Sequence, residues 1–126
     1  MNLDSLPVEL RCAVQAAQNK LAYGITVLDL RELGAFTNYF LICSAASTPQ
    51  TQAIADEVDM LLERRGVRVA HREGYNTGRW LLLDYGGFIV HIFHEQSRLF
   101  FDLERLWRSA KRLEIPDITA GAAAMR

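Results

Sequence analysis

The sequence predicts one α/β domain in which a mixed sheet of about five strands is flanked by helices. Two observations carry the prediction. Helical periodicity and short β-branched or aromatic runs follow one another in the order helix, two strands, helix, three strands, helix, with no internal repeat. The chain is also the size of one domain. At 126 residues, 50% hydrophobic and 23% charged, it can bury a core without disulfide or metal staples.

The first helix is signalled by Leu3, Leu6, Leu10, Val14, Ala17 and Leu21, which recur at helical spacings and so share a stripe. Asp4 or Ser5 can cap it, Pro7 suits its first turn, and Gly24 is the expected stop. Residues 25–30 are rich in β-branched side chains and read as a strand, followed by a turn over 31–34. Residues 38–43 read as a second strand, and their unbroken apolar run predicts burial on both faces. A small-residue loop, 44–49, leads to a second helix. Ser47 or Thr48 can cap it, Pro49 fits its first turn, Ile54, Val58, Leu61 and Leu62 form its apolar stripe, and Gly66 ends it. Residues 67–71, 79–85 and 88–93 are three further strands, the last two joined by the hairpin signal Gly86-Gly87. Ser97 is the expected cap of a last helix with Phe100, Leu103, Leu106 and Trp107 on its inner stripe. Arg105, Arg108, Lys111 and Arg112 crowd its end. The domain is therefore assigned to residues 1–112 and a flexible tail to 113–126, which holds Pro116 and the run Gly121-Ala122-Ala123-Ala124.

Composition excludes several classes. No apolar run approaches the ~20 residues of a membrane-spanning helix, and the chain is too apolar for bulk disorder. Lys plus Arg is 14, Asp plus Glu is 15 and the net charge is −1, so the basic excess of a phosphate-wrapping protein is missing. A partner would be gripped as protein rather than as RNA. Cys12 and Cys43 lack C-x-x-C spacing and suit a reducing compartment. The first residues show neither a signal-peptide pattern nor an Arg-rich transit pattern, so a cytoplasmic location is expected.

Catalytic chemistry finds little footing. His91, His94 and Glu95 spell H-x-x-H-E, which is not the zinc-protease order, and on a strand positions i and i+3 point to opposite faces. No metal site is expected. There is no G-x-S-x-G, and Cys43 in a central strand reads as inert packing. Residues 44–48 open a helix but lack the Gly and Lys of a phosphate loop, so capping is the simpler role. Asp29 and Asp84 each stand alone, without the paired acids of two-metal phosphoryl transfer. Neither a catalytic residue nor a cofactor is expected.

Residues 73–85 are more informative. Alternation places Trp80, Leu82 and Asp84 on one sheet face and Leu81, Leu83 and Tyr85 on the other. If the second set packs against helices, Trp80 and Leu82 stand beside an acid on the opposite face, which is the profile of a protein-docking hot spot. If both faces are covered, Trp80 is core. Glu73, Gly74 and Tyr75 lead into this strand, and His91 lies on its hairpin partner. This group is the candidate docking surface, with Trp80 as anchor and Asp84 and Glu73 facing basic residues of a partner.

The motifs Val27-Leu28-Asp29-Leu30, Phe36-Thr37-Asn38-Tyr39-Phe40, Ile54-Ala55-Asp56-Glu57 and Glu73-Gly74-Tyr75 recur in order with Trp80-Leu81-Leu82-Leu83-Asp84-Tyr85-Gly86, Val90-His91-Ile92-Phe93-His94-Glu95 and Phe101-Asp102-Leu103-Glu104-Arg105-Leu106-Trp107. In this order and spacing the chain resembles the ribosomal silencing factor family, the Iojap-like proteins, over roughly residues 5–110. One departure is Ser44-Ala45-Ala46, where the family usually carries a Gly, which implies a small change in loop shape. The tail after about Arg112 is outside the resemblance. The resemblance implies a nucleotidyltransferase-like fold without the catalytic acids. It implies a non-enzymatic factor that binds the large ribosomal subunit through its fourteenth protein and blocks joining of the small subunit, lowering translation when nutrients run short. Little direct nucleic-acid contact and no membrane are expected, and the missing transit pattern favours a bacterial cytoplasmic member. A homodimer is expected in the free state, because self-pairing would hide an apolar strand face. The alternative is a nucleotidyltransferase-like enzyme acting on a nucleotide or RNA, which needs a paired acid motif that the sequence lacks.

Overall fold

Residues 1–117 are described by the computed structural model. A single 3-10 turn at Leu3–Ser5, closed by reciprocal Asn2 and Ser5 hydrogen bonds, precedes the first helix. The elements are α1 (Val8–Asn19), β1 (Tyr23–Asp29), β2 (Tyr39–Ala45), α2 (Thr48–Arg64), β3 (His71–Glu73), β4 (Trp80–Asp84), β5 (Phe88–His94), α3 (Glu95–Phe101), α4 (Leu103–Leu106) and β6 (Lys111–Glu114). They build one six-stranded sheet in the order β3-β4-β5-β2-β1-β6. β2 and β5 run parallel and every other neighbouring pair is antiparallel. The sheet is mixed and flanked by helices, as predicted.

Two cores follow from the two faces. On one, Leu10, Val14 and Ala17 of α1 and Ile54, Val58 and Leu62 of α2 pack against Val27, Leu41, Cys43, Leu81, Leu83, Val90 and Ile92. On the other, Leu28, Leu30, Phe40, Ile42, Ile89 and Phe93 are buried, with Trp80, Leu82, Leu103 and Trp107 half-buried against them. β2 is buried at every position, as its unbroken apolar run requires. α2 begins as predicted: the Ser47 side chain accepts from the Gln50 N–H at 3.2 Å.

Several boundaries differ, each for a physical reason. The first stripe is divided, because Pro7 stands at the N-cap of α1 rather than inside it. The helix ends at Asn19, with Leu21 just beyond its cap at φ 60, and Gly24 instead lies within β1 at φ 58, where the β1–β2 register slips. A Cβ on Gly24 would stand 2.7 Å from Arg98 Nη1, so this bulge needs a glycine. The third strand is His71–Glu73 rather than 67–71. Val67 and Val69 pack against the helical-side core, and pairing starts only where the Ala70 N–H donates to the Asp84 carbonyl at 2.8 Å. The last helix is capped by His94, not Ser97, and breaks at Asp102, whose φ is 47. Leu103 and Trp107 face the sheet, but Phe100 and Leu106 are 81% and 76% exposed, off the inner stripe assigned to them.

The sixth strand is the largest addition. β6 pairs antiparallel with β1 from Thr26↔Glu114 to Asp29↔Lys111, so the boundary expected after Arg112 cuts through a strand. Ile115 is buried, and Asp117 Oδ1 accepts from the Gly24 N–H at 2.9 Å. Lys-Arg-Leu-Glu has one apolar residue, so an edge held by main-chain pairing leaves no hydrophobic period to read. The rest of the expected tail, 118–126, lies outside the described residues.

Candidate functional site

The alternation in β4 is realised. Leu81 and Leu83 are buried on the α1–α2 side, while Trp80, Leu82 and Asp84 are half-exposed on the opposite face. Register then builds a row across the sheet. Glu73 of β3 lies opposite Leu82, Leu82 opposite His91 of β5, and His91 beside Ile42 of β2. Five of the candidate residues, Glu73, Trp80, Leu82, Asp84 and His91, therefore share this face, at different depths.

Trp80 is both anchored and open. Its indole stacks on Phe93 with centroids 4.9 Å apart and lies 4.8 Å from Phe101. Its Nε1–H donates to His91 Nδ1 at 3.0 Å. The ring is thus neither fully core nor fully exposed.

His91 is only 4% exposed, so it acts on this surface from beneath. Accepting at Nδ1 leaves the proton of the neutral imidazole on Nε2, which is buried without a partner. Phe40 meets the ring edge-to-face at 4.5 Å. Burial pushes the pKa of His91 down to about 4, which keeps it neutral and keeps Nδ1 an acceptor. Its role in the geometry is to fix the indole of Trp80.

Asp84 Oδ1 accepts from the Gly86 N–H at 2.8 Å and orders the hairpin turn. Among the described residues no cationic side chain pairs with it. Glu73 lies 2.8 Å from His71 Nε2, with both side chains largely exposed. Asp29, the other lone acid, is held by Arg31 through both carboxylate oxygens, and these hydrogen bonds hold its pKa below the usual carboxylate range. Among the described residues no group of His, Cys, Asp and Glu side chains could hold a metal ion.

Tyr75 is not brought to this face. Its hydroxyl donates to Asp56 Oδ2 of α2 at 3.0 Å, and its carbonyl accepts from Gln52 Nε2 at 2.8 Å. The loop curls over α2, where Thr51 Oγ1 also donates to the Gly78 carbonyl at 2.6 Å. Two-residue alternation stops where the strand stops, so the sequence carried no register for Tyr75. Gly74 marks a close main-chain approach. It has φ 81, and a Cβ there would stand 1.9 Å from the Trp80 carbonyl oxygen.

Two features were missed in the sequence. One is the apolar surface of α3 and α4, where Leu99, Phe100 and Leu106 are exposed and Phe101 half-exposed against Trp80. The other is Arg98, which no sequence pattern singled out and which is largely buried. It donates to the Gly24 carbonyl at 2.6 Å and Ser44 Oγ at 2.9 Å, and pairs with Glu104 at 3.0 Å. Arg112 joins Glu104 at 2.8 Å. Burial opposes the charge of Glu104, but the hydrogen bonds and charges of the two arginines outweigh it and hold the carboxyl below its ordinary range. The Glu104 partner lies six residues beyond Arg98, across a helix break at Asp102 that no Gly or Pro announces.

The profile of the family described as ribosomal silencing factor during starvation matches residues 4–126. The ribosomal silencing factor RsfS of Halalkalibacterium halodurans is 35% identical over 109 residues, covering 86% of this chain and 93% of that protein. The RsfS of Bacillus subtilis is 39% identical over 101 residues, covering 80% and 86%. A crystal structure of a protein from Bacillus halodurans matches with a TM-score of 0.75 and 35% identity, over 84% of this chain and 96% of that one.

Proposed function

Since the chain belongs to the ribosomal silencing factor family, we propose that it docks on the large ribosomal subunit through the sheet face around Trp80 and Leu82 and bars the small subunit from joining. The partner on the subunit is its fourteenth protein, which lies on the face that meets the small subunit. Silencing is then steric, needs no catalysis and takes place in the cytoplasm.

One observation carries the docking surface. An indole held by Phe93, Phe101 and His91 stays partly exposed, next to Leu82 and to an acid with no cationic partner among the described residues. A rigid aromatic anchor gives up little entropy when it is covered, which is why such residues dominate interface energetics. Asp84 and Glu73 at its rim suit basic residues of the partner and give orientation rather than bulk affinity.

Sedimentation of the purified protein with separated subunits tests this. The protein should travel with the large subunit and reduce the monosome peak when both subunits are present. Binding to the small subunit alone would overturn it. Leu82→Arg should weaken large-subunit binding by about 30- to 1,000-fold, the loss of ~2–4 kcal/mol typical of a central contact. Its melting temperature should move little, because Leu82 is half-exposed while Leu81 and Leu83 carry the core.

A further inference from the structure

An aromatic row leads out of the second core to the surface. Phe93 is buried, Trp80 stacks on it at 4.9 Å, Phe101 follows at 4.8 Å, and Phe100 meets Phe101 at 5.0 Å, itself 81% exposed. The row ends on an open phenyl face. Phe100 and Phe101 also divide two adjoining hollows of 910 and 850 Å³. Arg105 and Arg108 line the first and Arg79 the second. All three are exposed, and among the described residues none forms an ion pair, although Arg98 and Arg112 close by are fully engaged. Asp102, in the first hollow, is the one carboxylate on either wall.

We propose that this strip binds single-stranded ribosomal RNA, its exposed rings stacking bases and Arg79, Arg105 and Arg108 contacting phosphates. The inference rests on the ribosomal reading of the protein and adds a second ligand beside the sheet face. Phe100 meets Phe101 edge to face, which leaves its own ring 81% exposed; an open phenyl face accepts any base, and guanidinium forks fit phosphate oxygens. Three uncompensated arginines suit a polyanion better than the core of a protein interface, which is depleted in charge. A net charge of −1 does not oppose this, because the contacts are local and few. Three phosphate contacts on a single strand predict a log–log salt slope of about −2.

The test uses the full chain and two probes, fluorescein-labelled 12-nucleotide oligoadenylate and oligouridylate, read by anisotropy. Saturable binding is expected, tighter for the adenylate because its bases offer more stacking area. The salt slope should be near −2. Phe100→Ala should weaken binding by about 5- to 150-fold. Arg105→Gln with Arg108→Gln should weaken it by at least about 10-fold and bring the slope to about −0.7. Both changes lie at exposed positions, and unchanged melting curves verify that the variants are folded. Absence of saturable binding, or binding indifferent to the double variant, overturns the proposal. So does a double variant that weakens large-subunit binding with no change in salt slope, which would make the strip a protein contact. Leu82→Arg should leave oligonucleotide binding intact, so failure of the sheet-face reading and failure of the RNA strip are separable.

Discussion

A proton on His91 would have to enter a buried ring that already accepts from Trp80 and has no partner at its other nitrogen. Burial therefore pulls its pKa to about 4, from the ordinary histidine value near 6.5. Above pH 7 the ring is neutral folded or unfolded and contributes no pH dependence. Between about 6.5 and 4 the unfolded chain takes up a proton that the folded chain refuses, so stability falls as pH falls. At pH 5 the loss should be about 2 kcal/mol. Asp29 and Glu104 have depressed pKa values and lose their contribution only at lower pH, below the step that His91 produces. Urea unfolding at the two pH values measures it. His91→Asn keeps an acceptor for the indole but has nothing to titrate, and should flatten the difference. At this scale the sequence was legible where alternation governs, as for Trp80, Leu82 and Asp84. It was silent on depth, since a histidine in a strand reads the same on a surface as beneath one.

Between elements, two fastenings set the shape of the site. Arg98 ties α3 to the β1 bulge, to β2 and, through Glu104 and Arg112, to α4 and β6. Removing Arg98 leaves the largely buried Glu104 with Arg112 alone and takes a donor from the Gly24 carbonyl and from Ser44, so Arg98→Met should cost about 3 kcal/mol. Amide exchange should accelerate in α3 and α4 and stay unchanged in α2, which packs on the far face. The second fastening is Gly74, where the loop passes against the Trp80 carbonyl. Gly74→Ala combines a positive φ with a collision against main chain, and should destabilise by about 2–4 kcal/mol in denaturant titration. Helices and central strands were legible because they bury periodic apolar faces. The break at Asp102 and the strand β6 were not, because one rests on a left-handed residue without a glycine and the other chiefly on main-chain pairing, with Leu113 its one apolar side chain.

For the molecule as a whole, an open apolar face is a liability in solution that self-pairing removes. The free protein should therefore be a dimer joined through the Leu82 face, and light scattering should give twice the 14.3 kDa chain mass. A monomer mass at every concentration tested would exclude it, and Leu82→Arg should produce that mass. The architecture as a class was legible from element order. Which face stays open was not, since both carry apolar side chains and only the placement of two helices decides. The sheet's outer strands bear on how such pairing can happen. They are His71-Arg72-Glu73 at one rim and Lys111-Arg112-Leu113-Glu114 at the other, short and almost wholly charged. Neither offers a template for strand addition, so the unpaired amides at these rims are guarded against runaway fibril growth. The pairing predicted through the Leu82 face would close after one copy, so a sticky surface on this protein need not become a seed for amyloid.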